Sequence, residues 1–398
     1  MLKNTNILDH NKLNHDFINY IENSLNFKQI NWYNLPNNLI LHVPGLKLNR
    51  DNIKVSRLKR IFGNDPKVNR FVRAIYKHGQ PGYNVYSYFP IALPFKLDNL
   101  FYVQLYSLMA SEGSHSNEFR LHVPEIFFHC IFRENLSHLF GTFINDQINT
   151  LISNGVQLQY APEFIRHLVP IPNYIPKLIL ENKEFARNYL RIAFEAEGHP
   201  HLKNSKRYIK LTRNIGIDEL VKEKLSYKTG TRIFLRELQK DYPILYKEIF
   251  KKPPPLLLGE SLLLFHYFGI ENQIKPEALL INKTNFRRGF YSVRWNLHIY
   301  AESIVKFIKE INFISQSKKD ICKNMLLLKS NKPAYYALRI MCDVSNNNIF
   351  RAKDFNNKMK GLGYVSPVKF IWDYNKKGLI TRIKKGHYLL TNSADSIM

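Results

Sequence analysis

Two stretches of this chain share one grammar, and that repetition constrains the fold more than any bulk property does. "LYSLMASEG" covers residues 105–113 and "LRIAFEAEG" covers residues 190–198. Each is an apolar helical run closed by a glutamate and a glycine. Each then leads through a few polar residues into an alternating strand. A helical run that is apolar nearly all round belongs in an interior rather than on a surface. Gly113 and Gly198 are expected in the left-handed conformation that closes a helix. Glu112 and Glu197 then stand at helix C-termini, the negative end of the macrodipole, where an anion is disfavoured and a cation welcome. One such glutamate reads as an ordinary solvated helix end. Two of them, with matching flanks, point to an internal duplication and to carboxylates that hold a metal ion. Ser107, Ser111, Ala193 and Ala196 are small enough to let the two helices approach closely.

The flanking strands support an α+β fold with helices on one face of each sheet. "EFRLHV" alternates Phe119, Leu121 and Val123 with Glu118, Arg120 and His122. "KRYIKLTR" sets Ile209 and Leu211 against Lys206, Tyr208, Lys210 and Thr212. "VRWNLHIY" sets Val293, Trp295, Leu297 and Ile299 against Arg294, Asn296 and His298, with Trp295 read as core. A period of two with one apolar face marks half-buried strands. Asn154-Gly155 in "LISNGVQLQY" signals a hairpin.

The polar faces of the second-half strands are basic, and the composition agrees. The 398 residues carry 58 Lys and Arg against 32 Asp and Glu, a formal net charge of +26. Such a field steers polyanions to the surface, which makes nucleic acid the expected partner. A membrane is not expected. The longest apolar run, "LLLGESLLLFHYFGI", is interrupted by Glu260 and His266, and the start "MLKNTNILDH" lacks an apolar signal region. A hydrophobic share of 45% excludes a disordered chain, and the length fits two to four domains. Three scattered cysteines, Cys130, Cys322 and Cys342, exclude a zinc ribbon or a disulfide framework. An intracellular, cytoplasmic and nucleoid-associated location follows as an expectation.

Taken together, the two motifs resemble the paired helices of the LAGLIDADG homing endonucleases, in the single-chain form with two motifs. The resemblance runs from about Leu97 to Lys319. It includes the lead-in "IPNYIPKLILENKEFARNYLRIAFEAEG" and the closing sequence "LLLFHYFGI", "VRWNLHIY" and "FIKEINFISQSKKD". The resemblance implies two pseudo-symmetric αββαββα halves that form a saddle along the major groove of double-stranded DNA. It implies a monomer with an internal pseudo-two-fold axis. It implies a Mg2+ ion held by Glu112 and Glu197, with Lys318 near the family's recurrent lysine as a third catalytic residue. The DNA-binding candidates on the strands and their connection are Arg120, Lys206, Tyr208, Lys210, Thr212, Arg287, Arg288, Arg294 and Asn296. The activity implied is site-specific, magnesium-dependent cleavage of both DNA strands. The alternative is a DNA-binding protein that does not cleave, a regulator or an intron-splicing helper.

Several residues depart from the pattern or sit beside it. The third motif position, usually small, is Ser107 in the first motif and Ile192 in the second, with Ala193 one place later. Residues 217–255 exceed what the pattern needs and read as an inserted helical element. Glu195 has Ala110 as its counterpart and reads as a polar helix-face residue. His115, His199 and His201 lack the spacing of a tetrahedral zinc site and read as DNA contacts. For Lys318 an ordinary surface lysine is the competing reading.

The ends of the chain read as further modules. Residues 331–398 offer three helices, "KPAYYALRIMCDVS", "RAKDFNNKMKG" and "SPVKFIWDYNKKGLI", followed by a hairpin in "ITRIKKGHYLLT". That order resembles a winged helix-turn-helix, with Lys369, Lys376 and Lys377 offered to the major groove and Lys384 and Lys385 on the wing. Such modules also dock proteins. Residues 1–95 read as a helical region. Within it, "DNIKVSRLKRIFG", the turn "NDP" and "KVNRFVRAIYKHG" form either a basic helix-turn-helix or a packing layer, and "HGQPGYNVYSYFPIALPFKL" reads as a linker into the first motif helix. The motif domain covers residues 96–320.

Overall fold

A computed structural model describes residues 10–24, 28–78, 86–114, 118–153, 155–162, 164–203, 206–216, 232–250, 253–282, 290–300, 302–327, 333–361 and 367–391. The chain divides into two compact units, Met1–Ala196 and Glu197–Met398.

The first unit opens with helix α1 (His10–Glu22), followed by β1 (Ile40–His42), β2 (Asn52–Lys54), α2 (Val55–Phe62), β3 (Ala74–His78) and β4 (Tyr86–Pro90). These strands form an antiparallel sheet in the order β2-β1-β3-β4. Of the two readings open for this stretch, a basic helix-turn-helix and a packing layer, the helix-turn-helix does not form. Its first helix exists as α2, but residues 66–71 form a 3-10 turn and the next residues are strand β3. The reason is local. Asp65 caps the turn by accepting from the Lys67 amide, Pro66 opens it, and the buried Asn69 accepts from the Trp32 amide at 3.0 Å. That anchor spends Asn69 on the core, and the apolar residues after it pair with β1 and β4. The expected linker likewise contributes a strand, β4. The N-terminal region is thus a mixed sheet-and-helix layer rather than a helical one.

The rest of the first unit begins with α3 (Leu100–Glu112), capped by Asn99, whose side chain accepts from the Tyr102 amide at 2.9 Å. Then come β5 (Gly113–Ser114), β6 (Phe119–Val123), α4 (Ile126–Phe140), β7 (Asn149–Ser153) and β8 (Val156–Ala161). The sheet order is β5-β6-β8-β7. Phe119, Leu121 and Val123 are buried, as the alternation predicts. The hairpin is also as expected: Ser153 pairs with Val156, and Gly155 takes φ 76°, a left-handed value that glycine adopts without strain. Asn154 and His115 lie outside the described residues. The final helix of this unit, α5 (Lys183–Glu197), ends one residue beyond it.

The second unit continues from Glu197 into β9 (Gly198–Lys203) and β10 (Lys206–Gly216). The extra segment then supplies β11 (Arg232–Phe234), α6 (Leu235–Asp241) and α7 (Pro243–Ile249). The insert is therefore not purely helical, since β11 adds an edge strand. After it come α8 (Pro255–Phe268), β12 (Asn272–Asn282), β13 (Phe290–Tyr300), α9 (Glu302–Glu310) and α10 (Gln316–Leu327). The sheet order is β9-β10-β13-β12-β11. Without β11 the strands run first, second, fourth, third, the same order as in the sheet of the first unit. Two αββαββ successions, opened by α3 and by α5, therefore follow one another along the chain with the same strand order in their sheets.

The second unit closes with α11 (Pro333–Asp343), β14 (Ile349–Arg351), α12 (Ala352–Gly361), α13 (Val368–Lys376), β15 (Ile380–Lys384) and β16 (His387–Leu390). The three helices and the hairpin stand where the sequence puts them, with β14 as an added third strand in the order β14-β16-β15. A separate apolar cluster that includes Leu338, Met341, Phe350, Phe355, Ile371 and Tyr374 holds this part together. Among the described residues no helix is long and apolar enough to cross a membrane.

Candidate carboxylate site and nucleic-acid interface

Glu112 is the last residue of α3 and is half-buried. The glycine after it does not play the expected role. Gly113 has φ −95° and ψ 157°, extended rather than left-handed, and Gly198 is the first residue of a strand with no left-handed φ. Gly113 is required for another reason. A Cβ there would stand 2.6 Å from the Met109 side chain and 2.7 Å from the Met109 backbone, so the chain can leave the helix directly into a strand only without a side chain.

The two motif helices touch inside the first unit. Ser107 Oγ donates to the Tyr189 carbonyl at 2.7 Å, and the rings of Tyr106 and Tyr189 lie 5.7 Å apart. Ser107 is fully buried, which explains the small residue at this position. Ile192, the departure from the pattern, is buried as well, and α5 approaches α3 at Tyr189 rather than through a small residue at position 192. Two further bonds hold α3 in place. Tyr102 Oη donates to the Pro170 carbonyl at 2.9 Å, and Tyr106 Oη donates to the Tyr174 carbonyl at 2.8 Å. These bonds tie α3 to the segment that leads into α5.

Glu197 ends α5. Burial pushes its carboxyl above the ordinary carboxylate range; Arg213, Arg294 and Lys318 pull in the opposite direction, while Glu260 adds to the rise. A carboxylate partly stripped of water and set among cations is a group that the fold holds at a cost. Lys318 lies on α10 with its ammonium 5.5 Å from the centre of the Phe313 ring, so it belongs to the surroundings of Glu197 in the second unit. Glu195, read from the sequence as a polar helix-face residue, is instead buried. Sequence reasoning also missed Arg213. It occupies an inward position of β10, in register with Trp295, where apolar residues alternate around it. It forms a two-pronged pair with Glu260 of α8: Arg213 Nε donates to Glu260 Oε2 at 3.3 Å, and Arg213 Nη2 bonds Glu260 Oε1. Their side chains are 6% and 0% exposed.

β10 and β13 carry six of the predicted nucleic-acid contacts: Lys206, Tyr208, Lys210, Thr212, Arg294 and Asn296. Tyr208, Lys210 and Thr212 alternate along β10, opposite Tyr300, His298 and Asn296 of β13. Asn296 corrects the expectation of a free contact residue. It is only 4% exposed, accepts from Thr212 Oγ1 at 3.0 Å and donates to Glu277 Oε2 at 2.9 Å. Glu277 is the residue inserted where the β12–β13 register shifts between Pro276 and Ala278; Pro276 has no N–H to give the ladder. Glu277 also pairs with Lys210 at 4.0 Å, so an acid sits within the basic face. Arg294 is half-buried with Nε 3.5 Å from Asn214 Oδ1. Lys206 occupies the start of β10, opposite Lys203. Arg287 and Arg288 lie outside the described residues. In the first unit, Arg120 pairs with Glu118 at 3.1 Å and lies over the Tyr160 ring.

In the C-terminal part, Lys369, Lys376, Lys377, Lys384 and Lys385 are all exposed. Trp372 of α13, which sequence reasoning passed over, has 75% of its surface exposed. His199 and His201 lie on β9 opposite Lys210 and Tyr208.

His298 gives this face a pH dependence. Burial, then the ammonium groups of Lys275 and Lys210, push its imidazole down from 6.5 to about 4, with Glu277 opposing. The folded chain therefore resists protonation at a pH where the unfolded chain accepts it. The stability that neutral His298 contributes is complete above about pH 6.5 and drains away as the pH falls toward 4. Thermal melts between these limits should show a falling midpoint, and His298→Gln should flatten the slope. An identical slope in the variant would exclude His298 as its source.

No family model matches the chain, and no curated protein does. Among solved structures it is similar to the N-terminal LAGLIDADG domain of DUF199/WhiA, at 11% identity and a TM-score of 0.30, covering 57% of this chain and 89% of that one. It is also similar to a variant of the homing endonuclease I-DmoI in complex with its target DNA in the presence of magnesium, at 13% identity and a TM-score of 0.29, covering 54% of this chain and 97% of that one. Mesophilic variants of I-DmoI match at 13% identity and a TM-score of 0.29, covering 54% and 92%. Likeness at this distance carries no inference about chemistry.

Proposed function

We propose that the chain is a LAGLIDADG-type protein that binds double-stranded DNA through its two sheets and cuts both strands, with magnesium held by Glu112 and Glu197. One observation carries this reading: each αββαββ succession opens with a buried helix whose last residue is a glutamate followed directly by a strand. The contact between α3 and α5 at Ser107 and Tyr189 supports the close pairing of the two motif helices.

The donor chemistry fits magnesium. Among the described residues no group of three or more His, Cys, Asp or Glu forms a cage. Magnesium does not need one, because it binds through one or two carboxylates together with water and substrate phosphates. The desolvated Glu197 carboxylate is a hard oxygen donor whose charge a cation would relieve. What magnesium would supply there is activation of a water and neutralisation of charge on the leaving oxygen. Arg294 and Lys318, both half-buried and both acting on Glu197, would draw a backbone phosphate toward the carboxylate. The buried Arg213 holds its place beneath them through Glu260. The C-terminal module fits a winged helix-turn-helix with α13 as its reading helix and the β15–β16 hairpin as its wing.

A second reading has one observation in its favour. Arg213, Arg294 and Lys318 already offset part of the charge of Glu197 without a metal. A protein of the same fold that binds DNA and leaves it intact, a regulator or an intron-splicing helper, remains the competitor.

Incubation of the full chain with a randomised duplex library, with and without magnesium, tests both readings. The expected result is a selected site that is bound in either condition and cut only with magnesium. A site bound tightly but never cut, in magnesium or manganese, selects the non-cleaving reading. Binding should fall steeply with salt, with a log–log slope of roughly −0.9 per neutralised phosphate. A slope near zero would refute a surface that tracks the DNA backbone.

A further inference from the structure

The outward face of the second unit's sheet carries a cluster of rings. His201 of β9 pairs in register with Tyr208 of β10, and Tyr208 with Tyr300 of β13, so the three share one face. His298 lies two residues from Tyr300 on the same face. The rings of His201 and Tyr208 are stacked at 4.4 Å with an interplanar angle of 16°. Those of His298 and Tyr300 are stacked at 5.5 Å and 8°. Tyr208 joins the two stacks, with centroids 5.0 Å from His298 and 6.0 Å from Tyr300. Four rings thus form a continuous patch across three neighbouring strands.

The patch is open at one end, where a lysine lies over its outermost ring. Tyr300 is 38% exposed, a high value for a large ring on a sheet. The exposed Lys275 of β12 places its ammonium 5.6 Å from the centre of the Tyr300 ring, and Lys210 follows Tyr208 on the same face of β10. At neutral pH the rings of His298, Tyr208 and Tyr300 are uncharged. His298 is held neutral by burial and the two lysines, and burial raises the phenols of Tyr208 and Tyr300 above their usual value. Uncharged π-faces with flanking ammonium groups fit flat heteroaromatic rings that alternate with phosphates.

A paired base in a duplex has both faces covered by its neighbours and offers only its edge in the groove. An unpaired base offers its face, and aromatic side chains on a basic surface take such bases with little regard to sequence. We propose that the ring patch of Tyr208, Tyr300, His201 and His298 is a stacking platform for unpaired bases of a single-stranded nucleic acid, with Lys275 and Lys210 on its phosphates. The site lies within the second unit and needs neither glutamate nor magnesium, so it stands or falls apart from cleavage.

The test uses the full chain without divalent metal and three probes: a mixed-sequence 12-nucleotide single strand as DNA and as RNA, the same strand with abasic positions, and a duplex of equal length. Tyr300→Ala should weaken single-strand binding at least about fivefold, the loss expected for one stacked base. Duplex affinity should change less than about twofold, because Tyr300 is not among the duplex contacts. Tyr300→Phe keeps the ring and should retain single-strand binding, which separates lost stacking from lost folding. The abasic strand should bind weakly and ignore the Ala substitution. A preference for the RNA or the DNA strand identifies the sugar at the site, and binding of either supports the platform. Equal losses on duplex and single strand, or an unchanged single-strand affinity, would overturn it.

Discussion

Glu197→Gln, and separately Glu112→Gln, should lower magnesium-dependent cutting of a bound duplex by about a thousandfold, because a metal's contribution of several kcal/mol corresponds to factors of that order. The amide keeps the size of the side chain and removes the charge that holds the cation. Duplex affinity should hold or rise slightly, since it rests on the lysines and arginines and one anion has gone. A second readout needs no cleavage. Burial raises the Glu197 carboxyl, so its charged form opposes folding at any pH above the ordinary carboxylate range. Without metal at neutral pH, Glu197→Gln should therefore melt higher than the native chain. Magnesium should raise the melting midpoint of the native chain and leave that of the variant unchanged. If Glu197→Gln melts lower than the native chain, Arg213, Arg294 and Lys318 outweigh the burial and the carboxylate is structural. If both single variants still cut at the native rate, the metal site is elsewhere.

Much of the frame around these acids was legible because it depends on local pattern. The alternation in "EFRLHV", "KRYIKLTR" and "VRWNLHIY" corresponds to β6, β10 and β13, with the apolar positions buried. The C-terminal helices and hairpin follow their start and stop residues. What failed to show was either non-local or a matter of backbone detail. Gly113 stands after a helix, as a closing glycine does, but its need comes from the contact with Met109 and not from a positive φ. The stretch after Asp65 has the spacing of a basic helix. It is held instead by Asn69 on Trp32, residues 37 apart, and such a bond has no local signature. Asn296 looks like a free polar residue in an alternating strand, yet the bulge at Glu277 brings a carboxylate over it. The ring patch joins residues from three strands whose registers no single strand discloses.

The pairing of Arg213 with Glu260 is the furthest from anything local and carries the largest expected effect on stability. In the sequence, Glu260 only interrupts an apolar run, and Arg213 follows the alternation of "KRYIKLTR" as though it were an error. In the structure the error and the interruption cancel, because α8 lies on the inward face of the sheet and brings the carboxylate onto the guanidinium. Replacing either partner alone leaves one charge buried without compensation. Arg213→Met or Glu260→Leu should each cost about 3–5 kcal/mol of folding free energy, measured by urea denaturation. The double variant removes both charges and keeps the volume apolar, so it should recover most of that loss, and the double-mutant cycle should give a coupling of more than about 2 kcal/mol. Recovery of the fold has a consequence at the site. Arg213 pulls the Glu197 carboxyl down and Glu260 pushes it up. Arg213 acts on Glu197 more strongly than Glu260 does, so their joint loss, neutral in net charge, still removes stabilisation of the carboxylate and leaves it with a stronger demand for a cation. The refolded double variant should then gain more in melting midpoint from magnesium than the native chain does. Additive single losses would show that the two side chains do not act as a pair. An unchanged response to magnesium in a well-folded double variant would show that the pair serves the fold alone and leaves the carboxylate site to Arg294 and Lys318.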